Sequence, residues 1–321
     1  MDNAARPRSR VPLYSLLLVL AASSAAAQAQ VAPLGSYLGC FNPNGLIARL
    51  EDQNRANRTS CRIAEVPMRP EAWNIAYGDW NVAWERQPGA PQGVMRVNLA
   101  GTTGARLTPK DGDHLYGTFE VRAQATCAPG AVTAFYTRSS DIYPNEAAGD
   151  FSEIDWEWLN GNPAQEQCSL WLNAQQGGKG MGERLMGPSE YQKLMGWPAS
   201  KRTNSSWVTY SINWQPTFVT FALDGRRVRT MQNGERRTWM TMGGNTLTRA
   251  FVSPEKPSHV TISLWTDDRW DRPADQRFGG ALDTSGGPYP SRFKSLRRVL
   301  CDAPLPQGSA ALTVRGPSWL Y

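Results

Sequence analysis

The chain has 321 residues, 40% of them hydrophobic, and a formal net charge of +6. Three arginines and one aspartate among the first ten residues contribute +2 of that charge, so the rest of the chain carries about +4. Such a weak positive charge does not predict a nucleic-acid partner. We interpret the arginines between residues 226 and 237 as the solvated face of a hairpin.

The N-terminus has the order of a secretory signal peptide. Basic residues precede an apolar stretch at 11–22, and small residues follow at 25–29. The apolar stretch is too short to cross a bilayer. We therefore predict a signal peptide over residues 1–29, cleaved after Ala27 or Ala29. The mature protein is expected in the extracellular space or periplasm, without a membrane partner.

Five cysteines in an exported chain predict disulfide bonds, with one thiol left over. Cys40 and Cys61 lie in the same N-terminal stretch and form one candidate pair, while Cys127, Cys168 and Cys301 compete for a second bond. An antiparallel meander of the intervening strands would bring Cys127 and Cys168 to the same end of the sheet. We therefore predict a disulfide between these two.

The scarcity of histidine excludes several classes of enzyme. Only His114 and His259 occur, and the HExxH and GxSxG patterns are absent, as is CxxC. The glycine-rich segment 177–182 lacks the Lys-Ser/Thr of a phosphate-binding loop, so we interpret it as a loop bordering a cleft. Carboxylates remain as the acid–base groups.

Short alternating or apolar runs bounded by turn residues dominate the chain after residue 70. The predicted strands are residues 93–99, 117–123, 131–138, 207–214, 217–223 and 259–265. Asp224-Gly225 predicts a hairpin turn, and a short helix is expected near 189–195. This pattern indicates an all-β sandwich or jelly roll.

Changes in composition along the chain predict its domain organisation. We predict an irregular N-terminal extension over residues 30–70, a jelly-roll catalytic domain over 71–302 and a C-terminal tail over 303–321.

Residues 151–159 alternate strictly between two kinds of side chain. One face of a strand here would carry Phe151, Glu153, Asp155 and Glu157. The opposite face would carry Ile154, Trp156 and Trp158. Three acids on one face repel one another, so the pattern indicates a functional role for them. Calcium binding or a solvated edge strand is the alternative, but the apolar opposite face indicates a central strand.

Glycoside hydrolysis supplies such a reason. Retaining glycosidases need two carboxyl groups about 5–5.5 Å apart. The Cα atoms of Glu153 and Glu157 would be roughly 13 Å apart, and side chains leaning together would bring their carboxyls to about 5 Å. Asp155 would lie between them and shift their pKa values.

The next predicted strand, residues 168–173, offers candidates for binding sugars. Alternation directs Ser169, Trp171 and Asn173 toward the acids, with Trp171 suited to stacking and Asn173 to hydrogen bonding. Phe151 and Trp265 are further substrate-binding candidates.

The acidic segment Glu-x-Asp-x-Glu is similar to the signature of glycoside hydrolase family 16. Other segments from about residue 73 to 299 follow that family's order of elements: a strand at 117–122, a hairpin at 207–228, and 263–265 with Asp268 and Trp270. The unbulged spacing resembles that of lichenases, plant xyloglucan transglycosylase/hydrolases and fungal Crh-type transglycosylases. Ser152 and Ser169 stand where the family commonly has Asp and Asn.

The resemblance implies a concanavalin A-like jelly roll with a concave glycan-binding sheet. It implies Glu153 as the nucleophile, Asp155 as its helper and Glu157 as the general acid/base. It further implies a monomer that acts on a polysaccharide, with no metal in the site and no required cofactor, although a structural calcium ion is compatible with it.

Three functions are consistent with these residues. The first is a secreted, retaining, endo-acting β-glycosidase of β-glucan-type polysaccharides. The second is a cell-wall transglycosylase of xyloglucan or of chitin and glucan, using the same residues. The third is a lectin-like module, which the presence of both Glu153 and Glu157 disfavours.

Overall fold

The computed structural model describes residues 61–139, 151–160, 167–198, 200–240, 245–267 and 278–301. The predicted signal peptide, the predicted tail, Cys40, Asp268 and Trp270 lie outside these ranges. The described residues all belong to one compact unit, Ala32–Tyr321. No helix in the described part of the chain is long and apolar enough to cross a bilayer.

Two antiparallel sheets of eight strands each form a β-sandwich, which confirms the predicted fold class. Sheet A contains, in spatial order, β14 (Arg226–Gln232), β13 (Phe218–Leu223), β12 (Val208–Gln215), β6 (Gly117–Gln124), β18 (Tyr289–Cys301), β4 (Ala90–Leu99) and β3 (Val82–Gln87), with β1 (Cys61–Val66) paired to β18.

Sheet B carries the acidic strand. It contains, in spatial order, β10 (Lys179–Gly180), β9 (Ser169–Gln176), β8 (Glu153–Leu159), β7 (Ala131–Ser139), β17 (Ser258–Thr266), β5 (Ala105–Pro109) and β2 (Trp73–Tyr77), with β11 (Arg184–Met186) also paired to β9. A separate hairpin consists of β15 (Arg236–Met240) and β16 (Thr246–Ala250).

Local sequence accounts for the turn and the helix that were predicted. Asp224 and Gly225 have φ angles of +41° and +76°, the left-handed pair of a two-residue turn between β13 and β14. The helix α1 (Pro188–Met195) begins with proline and ends at Gly196, whose φ is +63°. Both predictions are confirmed.

The N-terminal extension differs from its prediction at one point. Residues 61–66, expected to be irregular, form β1, which pairs with the end of β18 so that Cys61 lies opposite Cys301. The strand depends on hydrogen bonds to a partner at the other end of the chain. A local pattern of alternation could not reveal that partner.

The apolar face of β8 is the centre of the core between the sheets. Trp156 packs edge-on against Tyr210 and Phe221 of sheet A, with ring centroids 5.5 and 5.4 Å apart. Trp158 meets Tyr210 at 4.4 Å, and the indole N–H of Trp156 donates to the carbonyl of Ser211 at 3.0 Å. These contacts direct the acidic face of β8 away from sheet A.

A disulfide joins Cys127 and Cys168, with the Cα atoms 5.0 Å apart, as predicted. It connects the segment before β7 to the residue before β9, the two strands that flank β8. The amide of Asn160, just after β8, donates to the carbonyl of Cys127 at 2.7 Å. The bond thus ties together three neighbouring strands at one end of sheet B.

Replacing both Cys127 and Cys168 with alanine is expected to lower the free energy of unfolding by about 2–4 kcal/mol, because the bond closes a loop of 41 residues. Urea denaturation of wild type and double variant measures the loss. A reducing agent should reproduce it in wild type and have a smaller effect on the variant. Equal stability of the two oxidised proteins would contradict the expectation.

Candidate active site

The register of sheet B arranges its outer face in rows across the strands. Each acid of β8 has one neighbour on β7 and one on β9: Arg138 and Gln175 beside Glu153, Tyr136 and Asn173 beside Asp155, Ala134 and Trp171 beside Glu157. Because β8 is central, all three acids lie within the sheet floor.

A pocket of about 200 Å³ opens over this face. Its lining includes Glu153, Asp155, Glu157, Tyr136, Arg138 and Trp265. Further along the sheet, Ser263 of β17, Arg106 of β5 and Tyr77 of β2 continue the same lining. The pocket therefore extends across five neighbouring strands.

The two carboxylate oxygens of Glu153 lie against different neighbours. Arg138 Nη1 lies 3.0 Å from Oε2, and the amide Nε2 of Gln175 donates to Oε1 at 3.0 Å. The Glu153 side chain is 12% exposed. The guanidinium of Arg138 also lies over the ring of Phe151, 4.6 Å from its centroid. A cation thus neutralises one end of the acidic row.

Asp155 occupies the middle of the row and is buried. Burial raises its pKa well above the usual range, and the charges of Glu153 and Glu157 and a hydrogen bond with Glu153 raise it further. The amide of Asn173 donates to Oδ2 of Asp155 at 3.2 Å. Asp155 therefore keeps its proton to a higher pH than an ordinary aspartate does, and it shares a hydrogen bond with Glu153.

Glu157, at the far end, holds a proton at neutral pH. Burial raises its pKa to about 8, and the charges of Glu153 and of Glu183, beside β11, add to the shift. One strand face thus carries a carboxyl group beside a cation and, four residues on, a carboxyl in its acid form. Acid–base and nucleophilic chemistry requires two carboxyls in environments that differ in this way.

Residues 72–278 match the model of the family described as Glycosyl hydrolases family 16. The chain belongs to glycosyl hydrolase family 16. The match covers more than half of the chain, and it confirms the resemblance inferred from the acidic segment and its flanks.

Curated relatives from fungi and plants also match the chain. It is 26% identical over 224 residues to "Crh-like protein 5" of Aspergillus fumigatus, covering 69% of this chain and 48% of the relative. It is 26% identical over 234 residues to "Xyloglucan endotransglucosylase/hydrolase protein 22" of Arabidopsis thaliana, covering 71% and 70%. The match to "Probable glycosidase CRR1" of Saccharomyces cerevisiae covers 32% of that relative's length.

Solved structures share the family 16 fold. The laminarinase catalytic domain from Thermotoga maritima aligns with a TM-score of 0.52 at 16% identity, covering 75% of this chain and 98% of that one. The Bacillus licheniformis β-glucanase aligns with a TM-score of 0.50 at 17% identity, covering 74% and 97%. At these identities the likeness concerns the fold.

The structure separates the two tryptophans that were predicted to bind sugars. Trp265 lines the pocket and stacks on Phe278, with ring centroids 5.6 Å apart and planes 3° from parallel. Trp171 is only 8% exposed, because it packs against Val132 and Leu159 and meets the edge of Phe278. Trp171 lies on the expected face, but Phe278 covers it, so its predicted stacking surface is largely inaccessible.

The other three sugar-binding candidates lie outside the pocket lining. The amide of Asn173 is engaged by Asp155 and the residue is buried, so it positions a carboxyl. Ser169 lies opposite Leu159 at the end of β9. Phe151 precedes β8 and supports Arg138 from one side. The pattern placed these residues on a face but did not show what covers them.

Sequence reasoning missed several residues that line or cover the site, Tyr77, Arg106, Tyr136, Arg138 and Phe278. Alternation in residues 131–138 would have placed Tyr136 and Arg138 on one face of β7. Their pairing with the acids depends on strand register, which alternation does not give.

Within the described residues, no group of three or more histidine, cysteine or acidic side chains is arranged to hold a metal ion. The acidic row itself is organised by Arg138, by amides and by protons.

Glu157→Gln should weaken the pH dependence of stability. Because the pKa of Glu157 is raised from 4.5 to about 8, the folded state keeps a proton that the unfolded state releases. The free energy of unfolding therefore falls as pH rises between these values. Between these pH values, we expect the free energy of unfolding of the variant to fall by on the order of 1–3 kcal/mol less than that of wild type.

Urea denaturation at pH 5 and pH 8 measures this difference. Glu71→Gln, which alters an exposed glutamate paired with Arg69, is the control and should follow wild type. A Glu157→Gln protein with the full wild-type dependence on pH would show that this carboxyl is not the source.

Proposed function

We propose that this chain is a secreted, retaining, endo-acting β-glycosidase of β-glucan-type polysaccharides. The observation that carries the proposal is the row on β8, where Glu153 contacts a cation and Glu157 is in its acid form within one pocket. Family membership supports the class of reaction. The signal-like N-terminus and the disulfide support export.

The first step forms a covalent glycosyl-enzyme. A carboxylate oxygen of Glu153 attacks the anomeric carbon of the sugar while the bond to the leaving glycosidic oxygen breaks. Glu157 transfers its proton to that oxygen, so the leaving chain departs as a neutral alcohol. The two side chains start from Cα atoms roughly 13 Å apart and lean toward each other over Asp155.

The second step releases the sugar. Glu157, now a carboxylate, removes a proton from a water molecule as the water oxygen attacks the anomeric carbon. The ester bond to Glu153 breaks, its carboxylate re-forms, and Glu157 regains its proton. Two displacements at the same carbon return the original configuration, which makes the enzyme retaining.

Asp155 supports Glu153 throughout this cycle. Its protonated carboxyl donates toward Glu153, and Asn173 holds its other side. A neutral Asp155 adds a hydrogen bond without adding a negative charge between the two reacting groups.

A transglycosylase would use the same first step and a sugar hydroxyl in place of water. The Crh-like and xyloglucan endotransglucosylase/hydrolase relatives favour this as the second candidate, whereas relatives named "Beta-glucanase" favour hydrolysis. A panel of β-1,3-, mixed β-1,3/1,4-, xyloglucan and chitin substrates, with products sized with and without an added oligosaccharide acceptor, distinguishes the two. Lengthened products with acceptor indicate transfer. Binding without cleavage of any substrate would contradict the proposal and favour a lectin.

Glu153→Ala is expected to lower turnover by at least about 10³-fold, because the carbon–oxygen bond of the intermediate can no longer form. Added azide should restore part of the rate by replacing the missing nucleophile, and the product should be a glycosyl azide of inverted configuration. Glu71→Ala, which changes an exposed glutamate outside the pocket, is the control and should keep wild-type turnover. Near-wild-type cleavage by Glu153→Ala would disprove the assignment.

Glu183 is expected to set part of the basic limb of the pH profile. Wild-type kcat/KM should fall above about pH 8, where Glu157 loses its proton. Glu183→Gln removes a negative charge that raises the pKa of Glu157, so the basic limb should move down by about half a pH unit. Glu190→Gln on α1, where Glu190 pairs with Arg184, is the matched control. An unmoved limb in Glu183→Gln would contradict this interpretation.

A further inference from the structure

Arg138 is joined to Glu153 by strand register as well as by charge. The two residues are directly opposite each other on β7 and β8, and Nη1 lies 3.0 Å from Oε2. Gln175, opposite Glu153 on the other side, donates to Oε1. One oxygen of the carboxylate thus contacts a cation on β7 and the other accepts a hydrogen bond from β9, so both flanking strands restrain this side chain.

The cation is itself held in place. Its guanidinium lies over the ring of Phe151, and its side chain is 22% exposed. His259 of β17 is opposite Arg138 on the side away from Glu153. A planar, restrained guanidinium loses little conformational freedom when it pairs with a carboxylate, unlike a lysine on the surface.

Several other titratable groups lie around Glu153 and Arg138 in the described part of the chain. They include Tyr136, Asp155, Glu157, Arg106 and Tyr77 of the pocket lining, His259 opposite Arg138, and Asp113, which lies 3.6 Å from His259. Burial raises the pKa of Tyr136 and raises that of Glu157 to about 8, so these two are neutral near pH 7, and burial also raises the pKa of Asp155. Burial lowers the pKa of His259. Arg106 is on β5, three strands from β8.

We propose that Arg138 is a positioning residue that anchors the negative charge of Glu153 before attack and favours its return when the glycosyl-enzyme breaks down. The proposal rests on the retaining mechanism proposed above. In this role Arg138 acts through Glu153.

The direction of the effect of Arg138 on each step follows from the movement of negative charge during the reaction. In the first step Glu153 becomes a neutral ester and Glu157 becomes a carboxylate, so one negative charge moves away from Arg138 along β8. In the second step the ester breaks and the charge returns to Glu153. Arg138 therefore keeps Glu153 ionised at lower pH, opposes the first step modestly and assists the second.

Arg138→Met separates this role from a structural one, because it keeps an unbranched stem of similar shape and removes the charged guanidinium. The acidic limb of kcat/KM should move up by about 1–2 pH units. The fraction of enzyme found as glycosyl-enzyme by acid quench and intact-mass measurement should rise about threefold or more. KM should fall together with kcat as that intermediate accumulates. Arg138→Lys, which keeps the charge, should recover most of the acidic limb.

Arg106→Met is the matched control. It removes a guanidinium from the same pocket lining but from a strand three places away, so the acidic limb should stay in place whatever happens to the rate. An equal shift of the acidic limb in both variants would overturn the proposal, because it would show that the total charge of the pocket sets the limb. A uniform loss of rate in Arg138→Met, with the limb unmoved, would also overturn it.

A measurement without substrate tests the same contact. The protein is labelled with ¹³C-glutamate, and NMR follows the chemical shift of the Glu153 carboxyl carbon as a function of pH. The signal is assigned by its disappearance in Glu153→Gln. Its titration should move up in Arg138→Met by the same 1–2 pH units. An unchanged titration overturns the proposal. Absence of turnover by wild type on every glycan would instead contradict the proposed function, and the titration would still decide whether Arg138 anchors the charge.

Discussion

The burial of the apolar face of β8 fixes which way the three acids point. Trp156 and Trp158 are fully enclosed between the sheets, and each contributes roughly 4–6 kcal/mol of hydrophobic stabilisation. Moving the strand by one residue would place three carboxyls in this core and two tryptophans over the pocket. The crowding of acidic groups on the other face is therefore imposed by packing, and the raised pKa values of Asp155 and Glu157 reduce the repulsion between them.

The pocket also shows how a strand with near-identical side chains can hold different charge states. Glu153 has a guanidinium and an amide as partners, whereas the environment of Glu157 is dominated by desolvation and by other carboxylates. The difference arises from the flanking strands, since β7 supplies Arg138 at one end of the row and Ala134 at the other. A strand face gives the spacing of the acids, and its neighbours give each acid its role.

The fold class and the face of the acidic row were predictable because both follow from local alternation, which packing against a single core enforces. Arg138 was missed because its meeting with Glu153 depends on how β7 and β8 align across their connection. Phe278 was missed because it covers Trp171 from a segment far along the chain. Strand β1 was missed because its partner, β18, lies at the opposite end of the domain. Neither the register between distant strands nor the covering of one side chain by another far along the chain leaves a periodic signal in the sequence.

The bond between Cys127 and Cys168 encloses all of β7 and β8 within one covalent ring. A protease that cut a single peptide bond anywhere between these cysteines would open the ring without releasing a fragment. The two pieces would stay joined through sulfur, and a cut outside the strands would leave the hydrogen bonds of β8 to β7 and β9 in place. In surroundings rich in proteases, the cross-link would thus keep the acidic row covalently attached to the rest of the chain after a single cut.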